Sequence, residues 1–151
     1  MGGLEGLNRQ GPIRRFAVIG SPVAHSLSPV LHAAAYRALG VDDARYERFE
    51  VEAGELPAFL SDGPGRELEG LSVTMPGKPE AFALAAEHDE VSRRLGVANT
   101  LLRRPGGTWR AENHDVHGIA AALRDHGARS VATGGVVGSG ATALSALAAL
   151  L

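Results

Sequence analysis

The chain has 151 residues, of which 44% are hydrophobic, so it can bury the core of one domain of ordinary size but hardly of two. Its net charge is −2 and its acidic and basic residues are interspersed, which argues against nucleic acid or an anionic membrane surface as a partner. Cysteine is absent, which excludes disulfides, thiolate metal sites and a cysteine nucleophile, and fits a cytoplasmic setting.

The first part of the chain predicts a disordered leader, a strand and a helix. Residues 1–13 are rich in glycine and polar residues and lack the apolar segment of a signal peptide. The apolar run at 16–20 is typical of a parallel strand that is buried on both faces. Ser28 and Pro29 predict the start of a helix, with Ser28 as its N-cap, and Gly40 predicts its end. This helix carries its apolar residues on one face.

The remaining pattern alternates strands with helices. Strands are predicted at 46–51, 71–75, 97–102, 108–111 and 130–137, the fourth as hairpin partner of the third. Helices are predicted at 54–60, 79–86, 89–96, 116–127 and 141–151, and the last is too short to span a membrane. The order predicts an α/β fold, a three-layer open and mainly parallel sheet with helices on both faces.

Four polar clusters lie at predicted strand ends or helix starts. They are Ser26 with Ser28, Thr74 with Lys78, Asn99 with Thr100, and Asn113 with Asp115. Because side chains at the same edge of a sheet converge, we expect the clusters to surround one small ligand with hydroxyl or carboxylate groups. Each cluster also has a purely structural explanation: Ser28 and Asp115 would only cap helices, and Asn99 would only end a strand.

Lys78 is the only lysine in the chain. An amine can lose its proton near neutral pH whereas a guanidinium cannot, so a single retained lysine favours an acid/base role. If Lys78 and Asp115 face one cavity, they can hold a substrate hydroxyl and relay its proton. A structural salt bridge, or a solvated lysine at a helix start, would explain the same residues.

A glycine pattern, Gly138-x-Gly140-x-x-Ala143, follows a predicted strand and opens a predicted helix. In that context glycine lets the backbone approach a pyrophosphate, and the helix N–H groups bind it. The segment therefore predicts a contact with a dinucleotide. The chain stops one helix later, so no second strand follows to supply the residue that would contact the ribose 2′ position.

The sequence predicts neither a metal site nor a serine hydrolase. Its densest histidine cluster is His114-Asp115-x-His117, and no second cluster of histidines or acids stands at ligand spacing. The Gly-Ser-Gly segment at 138–140 lacks the spacing of a nucleophile elbow. We therefore expect no metal, and chemistry that depends on the polar clusters.

Four segments closely resemble shikimate dehydrogenase in order and spacing. They are 16–29, 70–78, 97–100 and 113–115. The first two are specific to that family and its quinate-using relatives, and the resemblance covers about residues 14–151. It implies a shikimate-binding α/β domain at 14–115. At 116–151 it implies a linker helix and the opening Rossmann-like β-α unit of a truncated NADP-binding domain.

Members of the family reduce 3-dehydroshikimate to shikimate with NADPH, on the route to chorismate and the aromatic amino acids. The substrate contacts that the resemblance implies are Ser26 and Ser28 for the carboxylate, and Thr74, Asn99 and Asp115 for the ring hydroxyls. Lys78 would also bind the substrate and would be the catalytic acid/base, paired with Asp115. The residues Gly138, Gly140 and Ala143 would belong to the NADP site.

Several positions depart from the family pattern. Ser72 stands where the family usually has Asn, Gly77 stands where a bulkier residue is common, and the neighbours of Asp115 are altered. Later substrate-contacting residues of the family and its 2′-phosphate site would lie beyond Leu151. Two alternatives stay open: a non-catalytic or truncated module that binds shikimate, and a quinate/shikimate dehydrogenase that uses NAD. The oligomeric state is also open, a homodimer included.

Overall fold

The computed structural model describes residues 12–128 and 132–151 of the chain. Within these ranges the strands are β1 (Arg14–Gly20), β2 (Ala44–Glu50), β3 (Gly70–Val73), β4 (Glu87–His88), β5 (Thr100–Arg103) and β6 (Trp109–Glu112). The α-helices are α1 (Ser28–Leu39), α2 (Leu56–Ser61), α3 (Lys78–Leu84), α4 (Glu90–Leu95), α5 (Asp115–Asp125) and α6 (Ala141–Leu150). A 3₁₀ turn at Pro64–Glu67 precedes β3. The predicted leader at 1–13 lies outside the described residues, except for its last two positions.

The strand order across the sheet is β2-β1-β3-β5-β6-β4. β1 pairs in parallel with β2 and β3, and β4 pairs in parallel with β6, whereas β5 is antiparallel to both of its neighbours. All strands of the sheet except β5 therefore run in the same direction. The mixed sheet carries helices on both sides, which confirms the predicted α/β fold.

The core is centred on β1, which is paired along both of its edges. Ala17, Val18 and Ile19 are consecutive and all buried, as an uninterrupted apolar run predicts for a strand covered on both faces. Burial of a large aliphatic side chain contributes about 1.5–3 kcal/mol relative to its exposure. The hydrophobic core that contains Ala17 and Ile19 also includes Leu56, Leu68, Leu71 and Leu101. The ends of β1 and β3 are thus fixed by a packed core.

Local signals in the sequence account for the helix bounds around β4. The Asp89 side chain caps α4 by accepting a hydrogen bond from the Ser92 backbone N–H at 2.7 Å. Gly96, with a φ of 68°, ends this helix as predicted. The short strand β4 has no signal in the sequence, because two residues are too few for a periodic pattern. None of the described helices has the length and apolar character needed to cross a bilayer.

The predicted N-cap at Ser28 is wrong, and the purely structural alternatives for Asp115 and Asn99 do not hold. Ser28 is the first residue of α1 rather than its N-cap, since Leu27 holds that position and no side chain caps the helix. Asp115 is likewise the first residue of α5, and His114 precedes it as the N-cap. Asn99 does not end a strand, because β5 starts one residue later. The side chains of Ser28, Asp115 and Asn99 are therefore available for other contacts.

The predicted strand at 130–137 is also not found where the structure describes the chain. Residues 132–137 form no strand, and 130 and 131 lie outside the described residues. The segment is rich in glycine, including Gly134 and Gly135, which weakens strand formation. No strand of the described sheet pairs with it. The predicted helix after it is confirmed as α6.

Candidate active site

The ends of β1 and β3 and the start of β5 line a cleft of about 400 Å³, which we call the polar cleft. Because β5 is antiparallel to β3, its first residues lie at the same edge of the sheet as the last residues of β3. The polar cleft is lined by all the residues predicted to bind substrate, Ser26, Ser28, Thr74, Lys78, Asn99 and Asp115. The four polar clusters thus meet in one place.

Lys78 and Asp115 are in direct contact inside this cleft. Lys78 is the first residue of α3, and Pro79 follows it at a position that favours a helix start. Its Nζ donates a hydrogen bond to Asp115 Oδ2 at 2.5 Å. The Lys78 side chain is only 9% exposed and the Asp115 side chain 23%, which excludes a solvated surface lysine. A buried ammonium of this kind requires a charged partner.

The carboxylate of Asp115 is held from a second side by Asn99. Asn99 Nδ2 donates to Asp115 Oδ1 at 2.7 Å. The Asn99 Oδ1 atom accepts from the Thr100 hydroxyl at 3.0 Å and from the His114 backbone N–H at 3.1 Å. The backbone N–H of Asp115 donates to Asn113 Oδ1 at 3.0 Å. Both carboxylate oxygens are therefore fixed by hydrogen bonds, and the orientation of Asp115 is set before a ligand arrives.

Ser26 and Ser28 also line the polar cleft. The Ser26 hydroxyl donates to the Ser28 hydroxyl at 3.2 Å, and the Ser28 backbone N–H donates to Ser26 Oγ at 3.3 Å. The Arg48 guanidinium donates to the carbonyl oxygens of Ala24 at 2.5 Å and Ser26 at 3.1 Å. Two hydroxyls backed by a cation suit an anionic group of a ligand.

Thr74 lines the same cleft and lies directly after β3. Its backbone N–H donates to the carbonyl oxygen of Ile19 at 2.9 Å, which ties it to the end of β1. A Cβ at Gly20 would overlap the Thr74 methyl group and would lie 2.7 Å from the carbonyl oxygen of Met75. Gly20 is therefore required by the close approach of the two strand ends, and that approach places Thr74 in the cleft.

A second cleft, of about 600 Å³, adjoins the first, and we call it the glycine cleft. It is lined by the residues predicted for NADP, Gly138, Gly140 and Ala143, together with Thr74 and Lys78 from the polar cleft. Gly138 has a φ of 129°, a conformation that residues with a side chain rarely adopt. The first residues of α6 also line this cleft. Lys78 thus stands in the wall between the two clefts.

Two residues of α6 make contacts that the sequence analysis missed. Thr142 Oγ1 accepts a hydrogen bond from Lys78 Nζ at 3.1 Å. Ser145 is fully buried, and its Oγ accepts from Asn113 Nδ2 at 3.3 Å. The available signal was the presence of two hydroxyl residues, three positions apart, in a helix otherwise made of alanine and leucine.

Tyr46 is a further missed contact of the polar cleft. Its hydroxyl donates to Ser72 Oγ at 2.7 Å, and Ser72 lines the cleft. The His32 ring stacks on Tyr46 with 3.7 Å between ring centroids. Burial raises the pKa of the Tyr46 hydroxyl, although the hydrogen bond with Ser72 opposes this. The serine that departs from the family pattern is therefore paired with a tyrosine.

In the part of the chain that the structure describes, no group of three or more histidines and acids could hold a metal ion. In the histidine cluster at 114–117, where the sequence predicts no metal site, His114 Nε2 lies 3.0 Å from a carboxylate oxygen of Glu112. His117 lines a separate apolar groove beside α4 and α6. The histidine cluster of the sequence is thus divided between different surroundings.

The fold and the two clefts define an α/β domain with a polar ligand cleft at the edge of a mainly parallel sheet, where such sheets bind ligands. The family model described as "Shikimate dehydrogenase substrate binding domain" matches residues 18–101, more than half of the chain. The chain therefore belongs to the shikimate dehydrogenase substrate-binding domain family.

Individual relatives agree with this assignment. The chain is 38% identical over 136 residues to shikimate dehydrogenase (NADP(+)) of an Anaeromyxobacter species, covering 90% of this chain and 48% of that protein. It is 44% identical over 106 residues to the protein of the same name from Hyphomonas neptunium, covering 70% of this chain and 38% of that protein. The chain thus spans about half the length of these curated relatives, or less.

Solved structures show the same fold. Mycobacterium tuberculosis shikimate dehydrogenase superposes with a TM-score of 0.77 at 48% identity, covering 91% of this chain and 49% of that one. The Thermus thermophilus enzyme in complex with NADP(H) and shikimate superposes with a TM-score of 0.78 at 34% identity, covering 91% of this chain and 51% of that one. Both likenesses extend beyond the family-model match, since they cover nine tenths of this chain.

Proposed function

We propose that this chain is the substrate-binding part of an NADP-dependent shikimate dehydrogenase, which reversibly reduces 3-dehydroshikimate to shikimate in aromatic amino-acid biosynthesis. The observation that carries the proposal is the position of the Lys78–Asp115 pair in the wall between the polar cleft and the glycine cleft. A reduction of this kind needs a proton donor between a substrate site and a dinucleotide site. The family and the relatives named for this activity support the same proposal.

Within the polar cleft, each residue has a proposed role that its contacts support. Ser26 and Ser28 bind the substrate carboxylate through their hydroxyls, with Arg48 behind their loop. Thr74 and Asn99 hold ring hydroxyls, as does Asp115 on the Lys78 side. The cleft volume of about 400 Å³ suits one small ligand of this size.

The residues of the glycine cleft fit a dinucleotide. The positive φ of Gly138, the following turn and the start of α6 form the arrangement in which backbone N–H groups approach a pyrophosphate. Gly138, Gly140 and Ala143 would hold NADP there. When bound, NADP supplies hydride chemistry at the substrate carbonyl.

Lys78 is the proposed acid/base. In the direction of reduction, the substrate oxygen becomes negative and takes a proton from Lys78 Nζ, and the reverse reaction returns that proton. Asp115 holds the ammonium in the cleft, and Asn99 keeps the carboxylate turned towards it. A positioned proton donor of this kind contributes about 10²–10⁴ to the rate.

The first test is calorimetric binding to the 151-residue chain. We expect shikimate to bind in the polar cleft, and we expect quinate to bind more weakly. Absence of shikimate binding would overturn the proposal. Stronger binding of quinate would favour the alternative of a quinate/shikimate dehydrogenase, and a preference for NAD over NADP in the same titrations would favour it further.

The second test is turnover, followed by NADPH absorbance with 3-dehydroshikimate as substrate. The chain would be assayed alone and fused to the second half of the Mycobacterium tuberculosis enzyme, whose first half it resembles at 48% identity. Turnover by the fusion supports the enzyme assignment. Shikimate binding with no turnover in either form would favour a non-catalytic binding module instead.

We further propose that the protein forms a homodimer in the cytoplasm. Support for a dimer comes from α1, whose Val30, Leu31 and Leu39 are 68%, 65% and 76% exposed, so that an apolar helix face is uncovered. Light scattering coupled to gel filtration tests the dimer, and a Leu31→Glu variant should shift it to a monomer.

The cytoplasmic location is supported by the cysteine-free composition, which fits a reducing compartment. Fractionation of the source cells tests the location.

A further inference from the structure

Helix α6 contacts Lys78 directly and is linked to Asp115 through Asn113. Lys78 Nζ donates to Thr142 Oγ1 at 3.1 Å. One turn further along α6, Ser145 Oγ accepts from Asn113 Nδ2 at 3.3 Å, and Asn113 Oδ1 accepts from the Asp115 backbone N–H at 3.0 Å. Residues three apart on a helix lie on the same face. A single face of α6 therefore reaches the Lys78 amine directly and the Asp115 backbone through one intermediate residue, Asn113.

The second of these contacts is fully enclosed. Ser145 and Asn113 are both completely buried, and Asn113 Nδ2 also donates to the carbonyl oxygen of Val97 at 3.2 Å. Buried polar groups without partners are costly, so the contact between Ser145 and Asn113 fixes how α6 is seated. That seating determines where Thr142 stands relative to Lys78.

The geometry of the ammonium group explains what Thr142 adds. Lys78 Nζ has three N–H donors, arranged tetrahedrally. With Asp115 as its sole partner, the group could rotate about that one hydrogen bond, and the other two N–H directions would not be set. A second hydrogen bond, to Thr142, fixes the rotation. The third N–H then has one direction and remains available for a ligand.

We propose that Thr142 is a positioning residue for Lys78, and that Ser145 anchors the face of α6 that carries it. The proposal rests on the proposed function only in that Lys78 is the acid/base. The same helix begins at the glycine cleft, so the element that follows the dinucleotide turn also orients the proton donor. Helix α6 and the Lys78–Asp115 pair are then parts of one packed unit.

The test is an NMR measurement, and because Lys78 is the only lysine, its resonances are identified without an assignment experiment. The chain labelled with ¹³C,¹⁵N-lysine gives one set of side-chain resonances, from Lys78. Thr142→Val keeps the shape of the side chain and removes its hydroxyl, so the ¹³Cε and ¹⁵Nζ resonances should shift. Thr142→Ser restores the hydroxyl and should return them towards the original values. Thr108→Val, at an exposed threonine outside both clefts, is the matched control and should leave them unchanged.

Ser145→Ala tests the anchor separately. It should shift the same Lys78 resonances in the direction that Thr142→Val does, and by less. Shikimate affinity should fall about two- to tenfold in Thr142→Val, because the N–H of Lys78 that faces the ligand loses its fixed direction, and should recover in Thr142→Ser.

Unchanged Lys78 resonances in folded Thr142→Val would overturn the positioning role, and so would a shift of equal size in Thr142→Ser. If the valine variant does not fold, Thr142→Ala replaces it under the same criteria. Unchanged resonances in Ser145→Ala would remove the anchor from the proposal. The spectra are recorded without ligand, so a failure of shikimate to bind would overturn the proposed function and leave this measurement valid.

Discussion

The polar cleft and the glycine cleft share Thr74, Met75 and Lys78, but the rest of each lining comes from different parts of the chain. In the polar cleft, hydroxyl, amide and carboxylate side chains are held by hydrogen bonds to one another and to the ends of packed strands. In the glycine cleft, most lining residues are glycine, alanine, valine or proline, and Gly138 has a conformation that residues with a side chain rarely adopt. We therefore expect the first cleft to select its ligand through side chains and the second through close approach to the backbone. Mutation of a residue that lines only one cleft should affect the ligand of that cleft alone.

The largest effect should come from Lys78, which both clefts share. Lys78→Ala removes the proton donor, so the turnover of the fused enzyme should fall by about 10²–10⁴. Shikimate affinity should stay within about tenfold, because the hydroxyls and Asn99 remain. Turnover and calorimetry measure the two quantities, with exposed Arg94→Ala as the control. A near-normal rate would remove Lys78 from the mechanism.

Gly138→Val should damage the glycine cleft alone. At a φ of 129°, a β-branched residue is strained by about 1–3 kcal/mol, and relief of that strain would move the turn. Titration with NADP should show at least about tenfold weaker binding, with the shikimate affinity unchanged. Gly135→Ala is the control, since a Cβ there meets no atom within 4 Å. Equal losses for both ligands would show that the clefts are not independent.

Ser28→Ala should weaken the polar cleft alone. Loss of one hydrogen bond to a carboxylate should reduce the shikimate affinity about tenfold and should leave NADP binding as it is. The methyl ester of shikimate lacks the charge and accepts weaker hydrogen bonds, so Ser28→Ala should weaken its binding by less than that of the acid. An equal loss for the ester and the acid would show that Ser28 does not act on the charge of the carboxylate.

Asp89 does not line the polar cleft but contacts Asn113, two residues before Asp115, and its replacement should cause the smallest effect. Its carboxylate caps α4 through Ser92 and accepts a hydrogen bond from the Asn113 backbone N–H at 3.3 Å. Asp89→Ala should therefore lower the free energy of unfolding by about 0.5–2 kcal/mol at pH 7. Urea unfolding measures this loss, and ligand affinities should hardly change.

The same residue gives the loss a defined pH dependence. Burial alone would raise the pKa of Asp89, but the hydrogen bonds from Ser92 and Asn113 outweigh it and lower the pKa. A carboxyl group with a lowered pKa in the folded state stabilises the fold above its unfolded pKa of about 3.9. That contribution is lost as the pH falls through the lower folded value. The difference between the wild type and Asp89→Ala should accordingly shrink in acid, and a constant difference down to that range would contradict the assignment.

The sequence predicted those parts of the molecule that depend on local signals. The buried run of β1, the hairpin of β5 and β6, the cap at Asp89 and the stop at Gly96 each follow from neighbouring residues. The polar clusters could be predicted to converge because strand ends share one edge of a sheet. Their contacts then follow from pairing and packing.

What the sequence did not predict depends on distant contacts. Nothing near Thr142 indicates that it meets Lys78, because the two are 64 positions apart and are brought together only by the seating of α6. Tyr46 and Ser72 likewise meet across the sheet, 26 positions apart. The prediction of a strand at 130–137 was wrong for the opposite reason. The local pattern indicated a strand, but no strand of the described sheet pairs with this segment. Local sequence was sufficient to predict most helices and strands, but not the contacts between side chains that lie on different elements.

The reversal of β5 has a consequence for engineering this domain. The hairpin of β5 and β6 begins directly after Asn99 and ends three residues before Asp115, and both of these residues line the polar cleft. The Asn99 N–H donates to the Glu112 carbonyl oxygen at 3.0 Å, which joins the two ends of the hairpin. Its tip, at 104–107, is exposed and lies at the far end of both strands. A peptide tag or fluorophore placed at this tip should therefore report on the domain without touching the residues that bind its ligand.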